Sequence, residues 1–228
     1  MSNPRKTAIV TGASQGIGAG IVKAFVEHGF NVVANSRKVT QSTEVAASSH
    51  VALVDGHIGE PATAARIVET ALSRFKSIDA LVNNAGIFFT KPFTDYTAED
   101  FKSLVSTNVK GFLYVTQLTI KQMLAQKTGG SIVTITAALA RNPIRGVTAA
   151  VPMITKGGLE TITQHLAIGV RERRHPRERG GAGHRLHTAS PGDSEGRDGE
   201  PVTDGAAFDG QGHCGRCDVP DRRCDGHW

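Results

Sequence analysis

The chain alternates short apolar runs with longer amphipathic segments, and this alternation most constrains what it can fold into. The run "KTAIVT" from Lys6 breaks into the glycine-rich "GASQGIG", and "AGIVKAFVEHG" then follows with helical spacing and ends at Gly29. β-branched apolar runs favour buried strands, whereas apolar residues three and four apart favour a helix with one buried face. The first unit is therefore predicted to be a strand, a glycine turn and a helix.

The same alternation continues for a further hundred residues. Because strands separated by helices form parallel sheets with helices on both faces, the pattern predicts an α/β fold with a Rossmann-like, doubly wound parallel sheet. The segments that carry it are "NVVANS", "HVALVD", the helix "EPATAARIVETALSRF", "IDALVNN", a helix from about Thr97 to Gln126, and "GSIVTIT".

Composition narrows the functional classes. A chain of 228 residues with 39% hydrophobic and 21% charged content is long enough for one buried domain. It has no apolar run long enough for a membrane span, and its start lacks the apolar core of a signal peptide, so we expect a cytoplasmic protein that does not bind membranes. The net charge of +5 could suggest nucleic-acid binding, but the arginines crowd into the last sixty residues, and the first 170 residues show no basic helix and no interleaved aromatic residues, which argues against it.

The glycines of the first turn suggest a ligand. Backbone amides at a helix N-terminus can bind a pyrophosphate, and a side chain at Gly12, Gly16 or Gly18 would obstruct the turn or the ligand's approach. The spacing G-x-x-x-G-x-G by itself also fits a plain turn. The strand before it and the helix after it favour a nucleotide site.

Three motifs together resemble the short-chain dehydrogenase/reductase family. The stretch "TGASQGIG" (Thr11 to Gly18) is similar to the family's cofactor turn, "NNAG" (Asn83 to Gly86) to its fourth-strand motif, and "STNVKGFLYVTQ" to the segment with its catalytic asparagine. The resemblance covers roughly residues 6 to 170. It implies an NAD(P)-dependent oxidoreductase that interconverts a small-molecule carbonyl and a secondary alcohol by hydride transfer, and a homo-oligomer for the intact family fold.

The resemblance also assigns residues to the site. Asn108 and Lys156 are implied to be catalytic, and no metal ligand is implied. The implied cofactor-binding residues are Gly12, Ser14, Gln15, Gly16, Ile17, Gly18, Ser36, Arg37, Asn83, Ala85, Gly86 and Lys156.

The end of the second strand bears on cofactor choice. An acidic residue there binds the ribose 2′-hydroxyl of NAD, whereas a basic residue accommodates the 2′-phosphate of NADP. Ser36 and Arg37 stand there without a carboxylate, which favours NADP and leaves NAD possible; Arg37 could also be a solvated loop residue. His57 occupies a position where the family usually has an aspartate near the adenine, and it either weakens that contact or is a surface histidine.

Two members of the family's catalytic set are absent. Pro152 stands where the tyrosine is expected, four residues before Lys156, and Ala137 stands at the serine position. The chain thus resembles a divergent branch without the catalytic tyrosine. Proline suits the first turn of a helix, so the frame of the site is kept without its acid. The alternative function is a catalytically inactive nucleotide-binding protein. Candidate substitute hydroxyls, each equally consistent with ordinary structure, are Thr136, Thr148 and Thr155.

The composition changes near Gly169, which divides the chain into a Rossmann-like domain at 1–170 and a tail at 171–228. The tail is rich in Arg, Gly, Asp and His and cannot bury enough apolar surface to offset its ordering entropy. Its Cys214, Cys217, Cys224 and His227 have the spacing of a small zinc knuckle, which is a third functional hypothesis.

A one-base insertion near the codon of Gly169 explains the tail in another way. With one base removed, permitted codons read Ile-Glu-Tyr-Ala-Ser-Gly-Gly-Ile-Arg-Val-Asn-Ala-Val-Ala-Pro, which resembles the family's sixth strand. The in-frame "ASPG" at Ala189 to Gly192 also resembles the family's post-strand loop, but no hydrophobic strand precedes it, so we interpret it as a coincidence. We then expect the sixth and seventh strands to be missing, the fifth strand to be an open edge, and no defined substrate pocket.

Overall fold

A computed structural model describes residues 5–174 and 185–189, with the backbone alone for residues 171–174 and 185–189. The described residues all lie in one compact unit, Met1–Ser194. The predicted boundary at residue 170 stays a prediction, and the cysteines and histidine of the zinc hypothesis lie outside the described residues. None of the described helices is long and apolar enough to cross a membrane.

The strands and helices alternate as the sequence pattern predicts. The strands are β1 (Thr7–Thr11), β2 (Asn31–Ser36), β3 (Val51–Asp55), β4 (Ala80–Asn83), β5 (Ser131–Ile135) and β6 (Arg185–Ala189). The helices are α1 (Gly16–Glu27), α2 (Pro61–Phe75), α3 (Ala98–Leu104), α4 (Gly111–Ala125) and α5 (Ala150–Arg174).

The strands form one parallel sheet in the order β3-β2-β1-β4-β5-β6. This order confirms the predicted Rossmann-like, doubly wound sheet, in which the chain reverses direction at β1 and β4 and leaves a crevice at their carboxyl ends. The core lies on both faces of β1. Ile9 packs in one cluster with Ile67 of α2 and Val115 of α4, while Val10 packs in the other with Val22 of α1.

The sixth strand corrects one expectation from the sequence. β6 pairs with β5 in parallel, from Ser131 opposite Arg185 to Ile135 opposite Ala189, so β5 is not an open edge. The segment "RLHTA" has no apolar run that would predict a strand. Strands pair through backbone N–H and C=O groups, however, and an exposed edge strand presents these groups to any extended segment. β6 ends where "ASPG" begins, so the reason for treating that motif as a coincidence no longer holds. The described residues contain no seventh strand.

The helix predicted from about Thr97 to Gln126 is continuous but not uniform. A capping box starts α3, because the Thr97 side chain accepts from the Asp100 N–H while the Asp100 side chain accepts from the Thr97 N–H. Between α3 and α4 the segment Val105–Lys110 is a π-helix. Such segments are often found at functional sites, and this one carries Asn108.

Candidate active site

The glycine turn between β1 and α1 leaves no space for side chains at two of its glycines. Gly12 has a φ of +65°, and a Cβ added there would lie 2.8 Å from Ala85 Cα. A Cβ added at Gly18 would collide with the carbonyl oxygen of Gly12. Gly16 has a φ of +56° but an open surrounding, so its requirement is conformational.

Asn84 and Thr11 hold this turn against the "NNAG" segment. Asn84 Nδ2 donates to the carbonyl oxygens of Thr11 and Gly12, each at 3.0 Å. Thr11 Oγ1 accepts from the N–H groups of Asn84 (3.1 Å) and Ala85 (3.0 Å). The site prediction omitted both residues, although they stand inside the two motifs that the sequence brought forward.

A cleft of about 190 Å³ opens at the carboxyl ends of β1, β2, β3 and β4. Seven of the predicted cofactor-binding residues line it: Gly12, Ser14, Gln15, Ser36, Arg37, Ala85 and Gly86. The predicted residues that do not line it are Gly16, Ile17, Gly18, Asn83, Asn108 and Lys156.

Other lining residues were not in the predicted set. They lie at the carboxyl end of a strand, in the segment just after one, or on the π-helix, and the rule that ligands bind at the carboxyl ends of parallel strands could have found most of them. These residues are Asn35, Gly56, His57, Ile58, Ile87 and Thr107. Asn83 is instead buried beside α4, where its Nδ2 donates to Thr116 Oγ1 at 2.9 Å.

A second hollow adjoins the cleft at the end of β2. It has a volume of about 410 Å³ and is lined by Ser14, Ser36, Arg37 and Lys38. Two cationic side chains and two hydroxyls converge there, and within the described part of the chain no carboxylate pairs with either cation. The chemistry of this hollow suits a phosphate group.

His57 is integrated into the wall of the cleft. Its Nδ1 accepts from the Gly59 N–H at 3.1 Å, and its Nε2 lies 3.3 Å from Thr107 Oγ1. Because Nδ1 accepts, a neutral imidazole carries its proton on Nε2 and donates to Thr107. The ring therefore links the loop after β3 to the π-helix.

Lys156 and Asn108 approach each other behind Gly86. Lys156 is only 8% exposed, and its Nζ donates to the Ile135 carbonyl at 3.0 Å. A Cβ added at Gly86 would lie 3.0 Å from Lys156 Nζ and 3.2 Å from Asn108 Oδ1. Burial lowers the pKa of the Lys156 ammonium below its ordinary value.

Asn108 is buried and hydrogen-bonded through both ends of its amide. Its Oδ1 accepts from the Ile87 N–H at 2.8 Å, and its Nδ2 donates to the Ile87 carbonyl at 3.1 Å and to Thr155 Oγ1 at 2.9 Å. Thr155 Oγ1 in turn donates to the Pro152 carbonyl at 2.8 Å. Asn108 thus joins the chain after β4 to the first turns of α5.

The two positions where the resemblance predicts a tyrosine and a serine carry no acidic side chain and no hydroxyl. Pro152 is buried in the first turn of α5, and Ala137 follows β5. Of the candidate hydroxyls, Thr155 is occupied as described, Thr136 is buried, and Thr148 is exposed. Neither tyrosine of the chain reaches this place: Tyr96 Oη donates to the Phe89 carbonyl at 3.0 Å, and Tyr114 packs against the core on α4.

An apolar cleft of about 420 Å³ lies beside the start of α5. It is formed by the segment after β4, the segment after β5 and the first turn of α5. The expectation that the chain has no defined substrate pocket stays a prediction, but these three segments do form an apolar cleft. The lining residues of this substrate-side cleft are Lys91, Phe93, Leu139, Ala140, Pro143, Ile144, Val147, Thr148, Ala149, Ala150 and Met153.

Comparison with known proteins decides the family. Residues 6–174 match the profile of the short chain dehydrogenase family. The chain belongs to the short-chain dehydrogenase/reductase family. The family resemblance seen in the three motifs is thereby confirmed, and the chain is an oxidoreductase by family. The match to the family profile ends at Arg174, the last residue of α5.

Relatives of this dehydrogenase/reductase chain include named and unnamed oxidoreductases. An uncharacterized oxidoreductase of Methylorubrum extorquens is 35% identical over 168 residues, 71% of this chain and 66% of the relative. The sorbitol dehydrogenase of Cereibacter sphaeroides is 30% identical over 172 residues, 72% of this chain and 64% of the relative. The chain thus spans about two thirds of the length of these relatives.

A solved structure of a reductase has the same fold as this chain. The 3-ketoacyl-(acyl-carrier-protein) reductase of Brucella melitensis, complexed with NADH, superimposes with a TM-score of 0.72 at 27% identity, and covers 82% of this chain and 76% of that chain. A protein of this fold and family therefore holds a nicotinamide cofactor.

Proposed function

We propose that this chain binds NADP(H) and interconverts a carbonyl compound and a secondary alcohol by hydride transfer. The observation that carries the proposal is the approach of Lys156 Nζ and Asn108 Oδ1 to one side of Gly86, while Gly86 also lines the cleft. A cation and an amide are thereby fixed directly behind Gly86, a residue that lines the cleft together with the glycine turn.

The described residues fit a dinucleotide. The glycine turn lies at the N-terminus of α1, where backbone N–H groups can bind a pyrophosphate, and its Gly12, Ser14 and Gln15 line the cleft. The hollow of Ser14, Ser36, Arg37 and Lys38 offers two cations to a 2′-phosphate and no carboxylate to a 2′-hydroxyl. These features support NADP over NAD as the preferred cofactor.

Lys156 and Asn108, the residues behind Gly86, would orient the bound cofactor and substrate and hold or donate protons. The bound nicotinamide would supply the hydride. Lys156 Nζ uses one of its three donors on the Ile135 carbonyl and can direct the others into the cleft beside Gly86. Asn108 holds the Ile87 backbone, so its role in this chain is to position the loop that carries Gly86. The relatives named for an alcohol dehydrogenation and a ketone reduction support the same reaction class.

A second candidate function is cofactor binding without turnover. It is favoured by Pro152, which puts no hydroxyl at the position of the family's proton donor. General acid–base catalysis contributes typically about 10²–10⁴-fold, so its loss slows hydride transfer without abolishing it. Binding and turnover must therefore be measured separately.

The test is a fluorescence titration of the full chain with NADPH and NADH, with Arg37→Ala and the exposed control Arg74→Ala. We expect tighter binding of NADPH, and for Arg37→Ala a loss on the order of tenfold in NADPH affinity with little change for NADH. Equal binding of both cofactors by the unaltered chain would contradict the NADP preference. No binding of either would contradict both candidate functions.

Turnover separates the two candidates. NADPH oxidation is followed with a panel of ketones and aldehydes at high protein concentration. A slow rate of NADPH oxidation that depends on the carbonyl compound supports hydride transfer as the function. Tight NADPH binding with no oxidation above the buffer background supports cofactor binding without turnover.

A further inference from the structure

We propose that the substrate is a neutral, largely apolar ketone or the corresponding secondary alcohol, bound in the substrate-side cleft beside α5. This inference rests on the proposed function for the reaction and adds to it the chemical class of the substrate. It is argued from the lining of that cleft, from its one charged residue and from its place relative to Lys156.

The walls of the cleft carry almost no hydrogen-bonding side chains. Apolar side chains from the segment after β5 face those of the first turn of α5, and Phe93 closes the side after β4. Several of these side chains are exposed: Phe93 is 70%, Ile144 60% and Val147 39% exposed. Contiguous exposed apolar side chains that rim a cleft mark a ligand site, because an apolar ligand removes them from water.

The one charged residue of the lining is already neutralised. Lys91 Nζ lies 2.6 Å from Asp100 Oδ2. The Lys91 ammonium, together with the Thr97 N–H, lowers the pKa of Asp100 to about 2, so the carboxylate is ionised and the pair is intact at neutral pH. A substrate carboxylate or phosphate would have to compete with Asp100 for this cation.

The polar group that remains is Thr148. The backbone carbonyl of Thr148 accepts from the Lys91 N–H at 3.2 Å. The side-chain hydroxyl of Thr148 is the uncharged polar side chain of the lining. A polyol placed here would lose hydrogen bonds to water at several hydroxyls, and each buried hydroxyl without a partner weakens binding. The lining therefore selects against sugars and polyols, the substrate class in the name of the sorbitol dehydrogenase relative.

The cleft adjoins the reacting end of the site. Met153 follows Pro152 directly and stands three residues, about one helical turn, before Lys156. Ala140 packs against the same helix, since a Cβ added at Gly157 would lie 3.9 Å from Ala140 Cβ. Leu139 follows Ala137, the position of the absent serine, by two residues. An apolar chain in the cleft would thus place a carbonyl group near Lys156.

The test measures binding of 2-decanone and of sorbitol to the full chain by isothermal titration calorimetry, with and without saturating NADP. Ile144→Asp puts a charge into the cleft wall. Ile154→Asp is a matched control, because Ile154 is 58% exposed on α5 and does not line the cleft. Both changes fall on exposed side chains, so neither removes a core contact.

We expect 2-decanone to bind, sorbitol to bind at least tenfold more weakly, and Ile144→Asp but not Ile154→Asp to weaken 2-decanone binding at least tenfold. The inference is overturned if sorbitol binds as well as 2-decanone, if 2-decanone does not bind, or if the two variants behave alike. NADPH titration of the same samples separates the two proposals: intact NADPH binding without 2-decanone binding refutes the substrate class alone, and absent NADPH binding refutes the proposed function.

Discussion

Asn108 Nδ2 donates to Thr155 Oγ1 at 2.9 Å, a bond between two buried side chains that lie 47 residues apart in the chain. Through it the π-helix after α3 is attached to α5 one residue before Lys156. Thr155 Oγ1 in turn donates a hydrogen bond to the Pro152 carbonyl. Pro152, which stands where the resemblance predicts a tyrosine, is thus tied through its backbone to Asn108, which the resemblance implies to be catalytic.

Thr155→Val should destabilise the protein, because it leaves Asn108 Nδ2 without one of its two acceptors in a buried place. The expected loss is about 1–3 kcal/mol in the free energy of unfolding, measured by urea denaturation followed by circular dichroism. Thr161→Val is the matched control, since Thr161 Oγ1 on the same helix donates to the Gly157 carbonyl and is exposed. An equal loss in both variants would show that the bond to Asn108 contributes nothing specific.

Pro152→Tyr should raise the rate of carbonyl reduction, because it places a phenol four residues before Lys156, one helical turn away. The gain expected from a positioned general acid is roughly 10²–10⁴-fold in kcat. Pro152→Phe carries the same ring without the hydroxyl, so both variants share any effect on folding. Equal rates in the Tyr and Phe variants would mean that position 152 does not face the reacting carbonyl.

Lys156→Met should stabilise the cofactor-free protein at neutral pH while weakening NADPH binding. Burial lowers the pKa of Lys156, so the unfolded chain binds the proton of this ammonium more tightly than the folded protein does. The folded state is therefore destabilised at low pH. This destabilisation disappears as the pH rises toward the ordinary pKa of lysine. We expect a gain in Tm on the order of a few degrees at pH 7 that shrinks toward pH 10.

The control for this prediction is Lys121→Met, which removes an exposed lysine of α4. Its Tm should change little and should not depend on pH in this window. A loss of Tm in Lys156→Met at pH 7 would show that the bond to the Ile135 carbonyl outweighs the cost of burying the ammonium.

Asp100→Asn should lower Tm at neutral pH and make acid unfolding less steep. The folded carboxyl has its pKa lowered to about 2, so the stability it contributes is fully present above its ordinary pKa and is lost as pH falls toward 2. Thermal melts from pH 7 to pH 2 should show the difference from the unaltered chain disappearing at the acid end.

Glu99→Gln supplies the comparison for that series. Glu99 is on the same turn, but its pair with Lys102 spans 3.5 Å between two exposed side chains. Such surface pairs contribute little, so its melts should match those of the unaltered chain. A difference for Asp100→Asn that stays constant down to pH 2 would assign the loss to the capping box and not to the carboxylate's charge.

The sequence by itself determined the order of the elements, the sheet class and the family. Apolar periodicity and the glycine spacing are local properties, and each strand and helix of residues 6–174 follows from residues within it. Motif resemblance also predicted seven of the residues that line the cleft, because a glycine such as Gly12 records a close approach that no other residue allows.

The tertiary structure decided what depends on distant segments meeting. The edge of β5 is covered by β6, whose sequence carries no strand pattern, because ladder hydrogen bonds are made by the backbone. The bond from Asn108 to Thr155, and the apolar cleft between the segments after β4 and β5 and the start of α5, arise only when the sheet brings those segments together. Local propensity specifies elements, whereas packing and pairing across the sheet determine which of their side chains share a site.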